Sequence, residues 1–261
     1  MMKFEGKVVI VTGSNSGIGK QTAFELLRKG AKVTIHGQNE QKISDAISDF
    51  KANGICEDSI HYVIGPVQDP QTQKRLIAET VEKFGKLDVL INNAGISHDK
   101  SLGEHSAEQF HKVMGINVES VLSLSRQALP HLEKTHGNIV NISSVSGQRA
   151  ALFWQFYRIS KAALDHATKI MAYDFARSGV RVNAVSPGVI KTNFIARNTT
   201  LEESDAQFKN YESYVPMNRL GTLQEISNVI LFMASELASF MTGAIVVVDG
   251  GMLLGPAIKK D

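Results

Sequence analysis

Tyr157 and Lys161 stand four residues apart in a stretch, Tyr157–Arg177, whose apolar spacing predicts a helix. Both side chains therefore project from one face, phenol beside ammonium. A free tyrosine loses its proton only at a pH of about 10, too high for proton exchange near neutrality. A neighbouring ammonium favours the phenolate, so the pair has the makings of a general acid and base. In an arbitrary helix the same spacing describes a surface cation–aromatic pair, and other groups must give it chemistry. Ser143, Ser144 and Ser146 follow the strand-like run Asn138–Ile142, where a hydroxyl could hold a carbonyl oxygen. Asn117 interrupts an otherwise apolar helical stretch, Ala107–Leu132.

A second chemical element lies near the start. Thr12-Gly13-Ser14-Asn15-Ser16-Gly17-Ile18-Gly19 follows the β-branched run Lys7–Thr12 and precedes a helical pattern, Lys20–Lys29. Gly13 permits a sharp turn, Gly17 lets backbone approach a pyrophosphate, and Gly19 lets the helix sit close to the strand. The first N–H groups of that helix would face phosphates. The spacing departs from G-x-G-x-x-G, and the lysine of a nucleotide-triphosphate loop is absent. Position is what favours a dinucleotide: the turn lies at the first strand-to-helix crossover.

The elements that must hold these groups alternate along the chain. Strand-like runs recur at Lys32–His36, Ile60–Ile64, Leu87–Ile91, Asn138–Ile142, Arg181–Val185 and Ala244–Val248. Helical patterns fill Glu40–Phe50, Pro70–Phe84, Ala107–Leu132, Tyr157–Arg177 and Leu223–Ser235. Strands separated by helices predict an α/β fold: one doubly wound parallel sheet of about seven strands, helices on both faces, in a single domain spanning 1–261. The long weak stretch Asn193–Leu220, ending after Pro216, reads as a substrate lid.

Composition removes other classes. The 261 residues carry 28 Lys and Arg against 26 Asp and Glu, too even for a nucleic-acid or anionic membrane surface. At 43% apolar residues the chain can bury a full core. No uncharged apolar run approaches the roughly 18 residues needed to cross a bilayer. The start does not read as a signal peptide, and the cytoplasm is the expected location. Cys56 is the single cysteine, so no internal disulfide or cysteine metal cluster is possible. His131 and His136 are five apart, not four as in zinc metalloproteases, and no catalytic metal is expected.

With these motifs in order, the chain resembles the single-domain short-chain dehydrogenase/reductase family from Gly6 to about Met252. The resemblance rests on Thr12–Gly19, Asn92-Asn93-Ala94-Gly95, Asn117, Ser144, the YxxxK of Tyr157–Lys161, Pro187-Gly188-Val189-Ile190-Lys191-Thr192 and Val248-Asp249-Gly250-Gly251. It implies an oxidoreductase that interconverts a ketone or aldehyde with an alcohol using a nicotinamide cofactor. By the same resemblance Tyr157 exchanges the proton, Lys161 lowers its pKa and holds the ribose, Ser144 orients the oxygen, and Asn117 supports a water relay. Gly13, Ser14, Asn15, Ser16, Gly17, Ile18, Gly19, Gln38, Val67, Asn93, Ala94, Gly95, Pro187 and Gly188 are expected at the cofactor. Ile190 and Thr192 would anchor its carboxamide. Relatives are commonly tetramers, so a homotetramer or dimer is expected.

The adenosine end departs from the family pattern. NAD-preferring relatives place aspartate where Gly37 stands, and NADP-preferring ones place a basic residue at Gln38 or Ser16. Lacking the repelling carboxylate, and with Ser14, Gln38 and Asn39 as neutral donors, the chain is expected to favour NADP(H) over NAD(H). The aspartate that usually meets the adenine is replaced by Pro66. On the substrate side Phe153, Trp154 and Phe156 follow Ser144, and Phe194 and Ile195 open the lid. If Phe153, Trp154 and Phe194 line the pocket, the substrate is lipophilic or aromatic. The resemblance extends equally to 3-ketoacyl-carrier-protein reductases and general carbonyl reductases. A rival of another class is a non-catalytic nucleotide-binding regulatory protein, which the intact Tyr157 and Lys161 argue against.

Overall fold

The computed structural model describes residues 2–97, 106–151, 154–192 and 208–255. Strands β1 (Val8–Val11), β2 (Lys32–Gly37), β3 (Ile60–Ile64), β4 (Val89–Asn92), β5 (Asn138–Ile142), β6 (Arg181–Pro187) and β7 (Ile245–Val248) form one sheet. Their spatial order is β3-β2-β1-β4-β5-β6-β7, with every pairing parallel. Each strand-like run predicted from sequence lies in this sheet.

Helices α1 (Gly17–Arg28), α2 (Glu40–Ala52), α3 (Pro70–Phe84), α4 (Ala107–Met114), α5 (Ser120–Thr135), α6 (Gln155–Phe175) and α7 (Leu223–Ala234) cover both faces. Strand period two explains the two cores. Val9, Val11, Ile91 and Val140 point into one cluster with α1, α2 and α7, and Ile10, Leu90 and Ile139 into the other with α3, α5 and α6. None of these seven side chains is more than marginally exposed, so the central strands read as continuous apolar runs rather than alternating ones.

One boundary differs from the sequence reading. The stretch Ala107–Leu132 is not one regular helix: a π-helical turn, Gly115–Glu119, joins α4 to α5. A wider turn is invisible to a 3.6-residue pattern, because the apolar side chains on either side keep nearly the same face. Asn117 sits inside it, fully buried.

The chain order reverses between β1 and β4, which are hydrogen-bonded neighbours. In open parallel sheets the crevice at such a switch point is where ligands bind. The glycine-rich turn leaves β1 there, and Asn93-Ala94-Gly95 leaves β4 beside it. Of the expected lid, 193–207 lies outside the described residues. From 208 onward Phe208 and Val215 are buried, and Gly221 forms a parallel bridge to Ile190.

Candidate active site

The ends of β1 and β4 are locked together before any ligand is considered. Thr12 Oγ1 accepts from the N–H groups of Asn93 and Ala94, each at 3.0 Å. Asn93 Nδ2 donates to the carbonyls of Thr12 and Gly13 at 2.9 and 3.0 Å. Asn92 reaches the other way, donating to Asn141 Oδ1 at 2.9 Å and so tying β4 to β5. The paired asparagines are thus structural pins for the glycine turn. Gly13 has φ +62°, and a Cβ there would stand 2.9 Å from Ala94 Cα, so both strain and space demand glycine.

Ser14 was expected to face the cofactor, but its side chain is committed inside the fold. Its hydroxyl donates to the Val11 carbonyl at 2.7 Å and accepts from His36 N–H at 2.9 Å, and the residue is fully buried. It offers no proton to a phosphate. Gly19 likewise lies behind the turn rather than on the cleft wall. Asn15, Ser16, Gly17 and Ile18 do line the cleft, as do Gln38, Val67, Asn93, Ala94, Gly95, Pro187, Gly188, Ile190 and Thr192.

His36 is a residue that motif reading passed over. Its Nδ1 accepts from Gly13 N–H at 3.2 Å, and Nε2 lies 3.0 Å from the Gly65 carbonyl. That pair of contacts requires the neutral ring with its proton on Nε2. The imidazole thereby joins the glycine turn to the end of β3, across β2. Burial pushes its pKa down to about 4, opposed by the hydrogen bond to Gly65. Because the folded value lies below the unfolded one, the folded protein loses stability as pH falls from about 6.5 to about 4. The loss attributable to this ring is about 3 kcal/mol. Denaturant midpoints between pH 7 and pH 4 should show that slope, and H36N should flatten it; an equal slope in both proteins would reject the assignment.

At the other end of the cleft, β5 delivers Ser144 and α6 delivers Tyr157 and Lys161, all buried. Ser144 opens a short 3-10 turn, Val145–Gly147, and its Oγ accepts from Ser146 N–H at 3.1 Å. This turn packs directly on α6 because residue 147 has no side chain: a Cβ there would lie 2.7 Å from backbone atoms of Lys161 and Ala162. Ser144 is hydrogen-bonded to the Tyr157 phenol. Ser143 instead turns its hydroxyl toward the Lys161 carbonyl, at 3.4 Å. The three candidate hydroxyls are therefore not equivalent, and Ser144 is the one joined to the phenol.

Lys161 Nζ donates to the Ile142 carbonyl at 2.7 Å and lies 5.6 Å from the centre of the Tyr157 ring. Burial pushes its pKa down to about 8, opposed by the carboxylate of Asp165 one helical turn on. Burial pushes the Tyr157 hydroxyl up to about 12, opposed by the Ser144 hydrogen bond and the charge of Arg158. In the ligand-free protein the phenol is thus neutral. The expected lowering by Lys161 is not seen in the ligand-free protein: the groups that oppose burial are Ser144 and Arg158, and a buried phenolate lacks water.

Asn117 is near but not on the cleft wall. Its Oδ1 accepts from Ile96 N–H at 2.9 Å, while Nδ2 donates to the Ile96 carbonyl and to Ser160 Oγ, each at 2.9 Å. Ser160 in turn donates to the Tyr157 carbonyl at 2.7 Å. The asparagine amide is therefore a clamp between the segment after β4 and the Tyr157 turn of α6. All of its side-chain hydrogen-bonding groups except one oxygen lone pair are used, so the amide itself has little left for a water.

Trp154 has φ +60° at the start of α6, and its ring meets Tyr157 edge-on at 6.3 Å, on the cleft wall. Phe156 faces away, packed edge-on against Phe110 of α4 at 5.3 Å. Phe153 and Phe194 lie outside the described residues.

These residues line one cleft of about 720 Å³ running from Gln38 to Trp154. Among the described residues no carboxylate lines it, whereas Lys42, Lys112, Arg158 and Lys161 do. The cleft fits an elongated anionic cofactor. A Cβ on Gly95 would lie 3.3 Å from Asn117 Oδ1 and 3.7 Å from Lys161 Nζ, filling space in front of the ammonium that glycine leaves open. Lys42 and Gln68 also line the cleft, at the end that carries Gln38, and neither stands at a position the sequence motifs point to. Among the described residues, no cluster of three His, Cys, Asp or Glu could hold a metal ion, and no helix is long and apolar enough to cross a membrane.

A doubly wound parallel sheet with a glycine turn at its switch point, and Ser, Tyr and Lys at the far end of the same cleft, defines a dinucleotide-dependent dehydrogenase or reductase. The chain belongs to the short-chain dehydrogenase/reductase family. Residues 13–253 match a family model described as enoyl-(acyl carrier protein) reductase. An uncharacterized oxidoreductase of Thermotoga maritima is 39% identical over 252 residues, covering 96% of this chain and 98% of that one. A 7alpha-hydroxysteroid dehydrogenase of Clostridium sardiniense is 34% identical, covering 98% of this chain and 96% of its own. A short-chain dehydrogenase/reductase of unknown function from Caenorhabditis elegans, solved with cofactor, superposes with a TM-score of 0.91 at 35% identity, covering 96% of each chain. The protein is accordingly an oxidoreductase acting on CH–OH and C=O groups with NAD(P).

Proposed function

We propose that this oxidoreductase interconverts a lipophilic ketone or aldehyde with its alcohol, using Tyr157 as the acid and base and NADP(H) as the favoured cofactor. The observation that carries the reading is the buried set of Ser144, Tyr157 and Lys161 at the end of a cleft walled by Trp154. A bound nicotinamide would supply or accept the hydride. The glycine turn would receive the pyrophosphate, Lys161 the ribose hydroxyls, and Ile190 with Thr192 the carboxamide. Ser144 Oγ and the Tyr157 hydroxyl would meet the substrate oxygen together. Tyr157 gives that oxygen a proton in reduction and takes it back in oxidation. The positive charge of a bound oxidised nicotinamide, together with that of Lys161, would favour the phenolate that burial alone disfavours in the ligand-free protein. Asn117 holds the segment carrying Gly95 and Ile96 against α6.

Trp154 and Ile96 on the wall support an apolar substrate body. A 3-ketoacyl thioester reductase is the alternative, favoured by the acyl-carrier-protein description of the matching family model. Measuring NADPH oxidation over ketoacyl thioesters, steroids, quinones and sugars separates the two. Turnover confined to sugars would overturn the lipophilic reading. In S144A, turnover on the best substrate should fall by about 10²-fold, since one donor to the reacting oxygen is lost. A decline smaller than about threefold would show that Ser144 does not hold the oxygen.

Asn15 supports NADP(H). Its side chain rests against Gly37, where a Cβ would come within 2.5 Å of Asn15 Nδ2, so the aspartate of NAD-preferring relatives has no room unless Asn15 moves. We also infer a cytoplasmic homotetramer or dimer: Ile159, Ile170 and Tyr173 of α6 are 50%, 58% and 82% exposed, an apolar stripe suited to a second copy of this helix.

A further inference from the structure

A 2′-phosphate brings nearly two negative charges at neutral pH, and neutral amides alone recognise it weakly. Neither Ser16 nor Gln38, where relatives place a cation, is basic. We propose that Lys42, in the first turn of α2, is the specificity-determining cation that recognises the adenosine 2′-phosphate, with Gln38 and Asn39 as neutral donors beside it. The inference rests on the NADP(H) reading above and moves the charge one helical turn beyond the positions relatives use.

Three observations converge on Lys42. It lines the same cleft as Gln38, Asn39, Asn15 and Ser16, and its side chain is exposed there. Among the described residues it forms no ion pair, and none of the cleft-lining ones is a carboxylate that would compete for it. Glu40, the acid nearest in sequence, faces instead a separate groove between α2 and β3 with Ile43, Tyr62 and Ile64. The backbone under Lys42 is also set in place: its N–H donates to Asn39 Oδ1 at 2.9 Å, which caps α2 and leaves the Asn39 amide N–H groups as donors.

The test is calorimetric binding of adenosine 2′,5′-bisphosphate and 5′-AMP to the wild type, K42A and K42R, which needs no turnover. Wild type should bind the bisphosphate at least about tenfold more tightly than 5′-AMP. K42A should lose most of that preference while holding 5′-AMP unchanged, and K42R should keep it. If K42A retains the full preference, the Lys42 assignment is wrong and the NADP(H) reading stands. If wild type itself shows no preference for the 2′-phosphate, the NADP(H) reading fails and takes the assignment with it.

Discussion

Y157F is expected to lower turnover by about 10²–10⁴-fold while leaving cofactor affinity within about twofold. The hydroxyl is the only part of the side chain removed, and the ring would keep its contacts with Trp154 and its place above Lys161. Neither of the two neighbouring groups, Ser144 and Lys161, is expected to supply the lost proton. Ser144 has too high a pKa to act alone, and Lys161 is held by the Ile142 carbonyl. Fluorescence titration with NADPH and steady-state turnover, measured on the same preparation, check both halves. Turnover within tenfold of wild type would exclude Tyr157 as the proton donor, whatever the substrate. Loss of NADPH binding alongside turnover would instead mean that the phenol serves the cofactor site.

The second large effect is expected at Gly19. A Cβ there would strike Asn93 Nδ2 and come within 2.5 Å of the Gly13 carbonyl. Those are the atoms that pin the glycine turn to β4, since Asn93 donates to that carbonyl. The colliding carbonyl is backbone, so the conflict cannot be relieved by a rotamer change alone. G19A should shift α1 away from the turn, cost about 1–3 kcal/mol of stability through overpacking, and weaken NADPH binding by more than tenfold. By contrast, an added Cβ at Gly17 would meet, among the described residues, only Thr192 Cγ2, at 3.9 Å, and its cost comes from φ +54° rather than from collision. Thermal midpoints and NADPH titration of both variants distinguish the two causes. If G19A binds NADPH as wild type does, the close approach of helix and turn is not what shapes the phosphate site.

Much of the fold was legible because strand and helix periods are local properties. Val8–Val11 is apolar and β-branched at every position, which fits a strand buried on both faces, and the alternation of strand-like runs with helices pointed to parallel pairing. The same local logic located Tyr157, Lys161 and the glycine turn. It failed at Gly115–Glu119, where a π turn preserves the apolar face on either side, and it could not tell that the Phe156 ring packs on Phe110 of α4 while Trp154 lines the cleft.

The sequence by itself determined the doubly wound sheet, the switch-point turn and the family to which Ser144, Tyr157 and Lys161 belong, because these follow from residue type and spacing along one chain. Only the tertiary structure decided which polar groups are spent. Ser14 is consumed by Val11 and His36, Asn117 by Ile96 and Ser160, and Ser143 turns toward the backbone of Lys161, while Ser144 meets the phenol. Tertiary structure also placed Lys42 on a cleft wall that carries no carboxylate among the described residues, and His36 under the glycine turn. A hydroxyl or amide reads the same in any sequence. Whether it remains available to a ligand depends on partners brought near by the sheet from tens of residues away, and spacing along the chain does not carry that information.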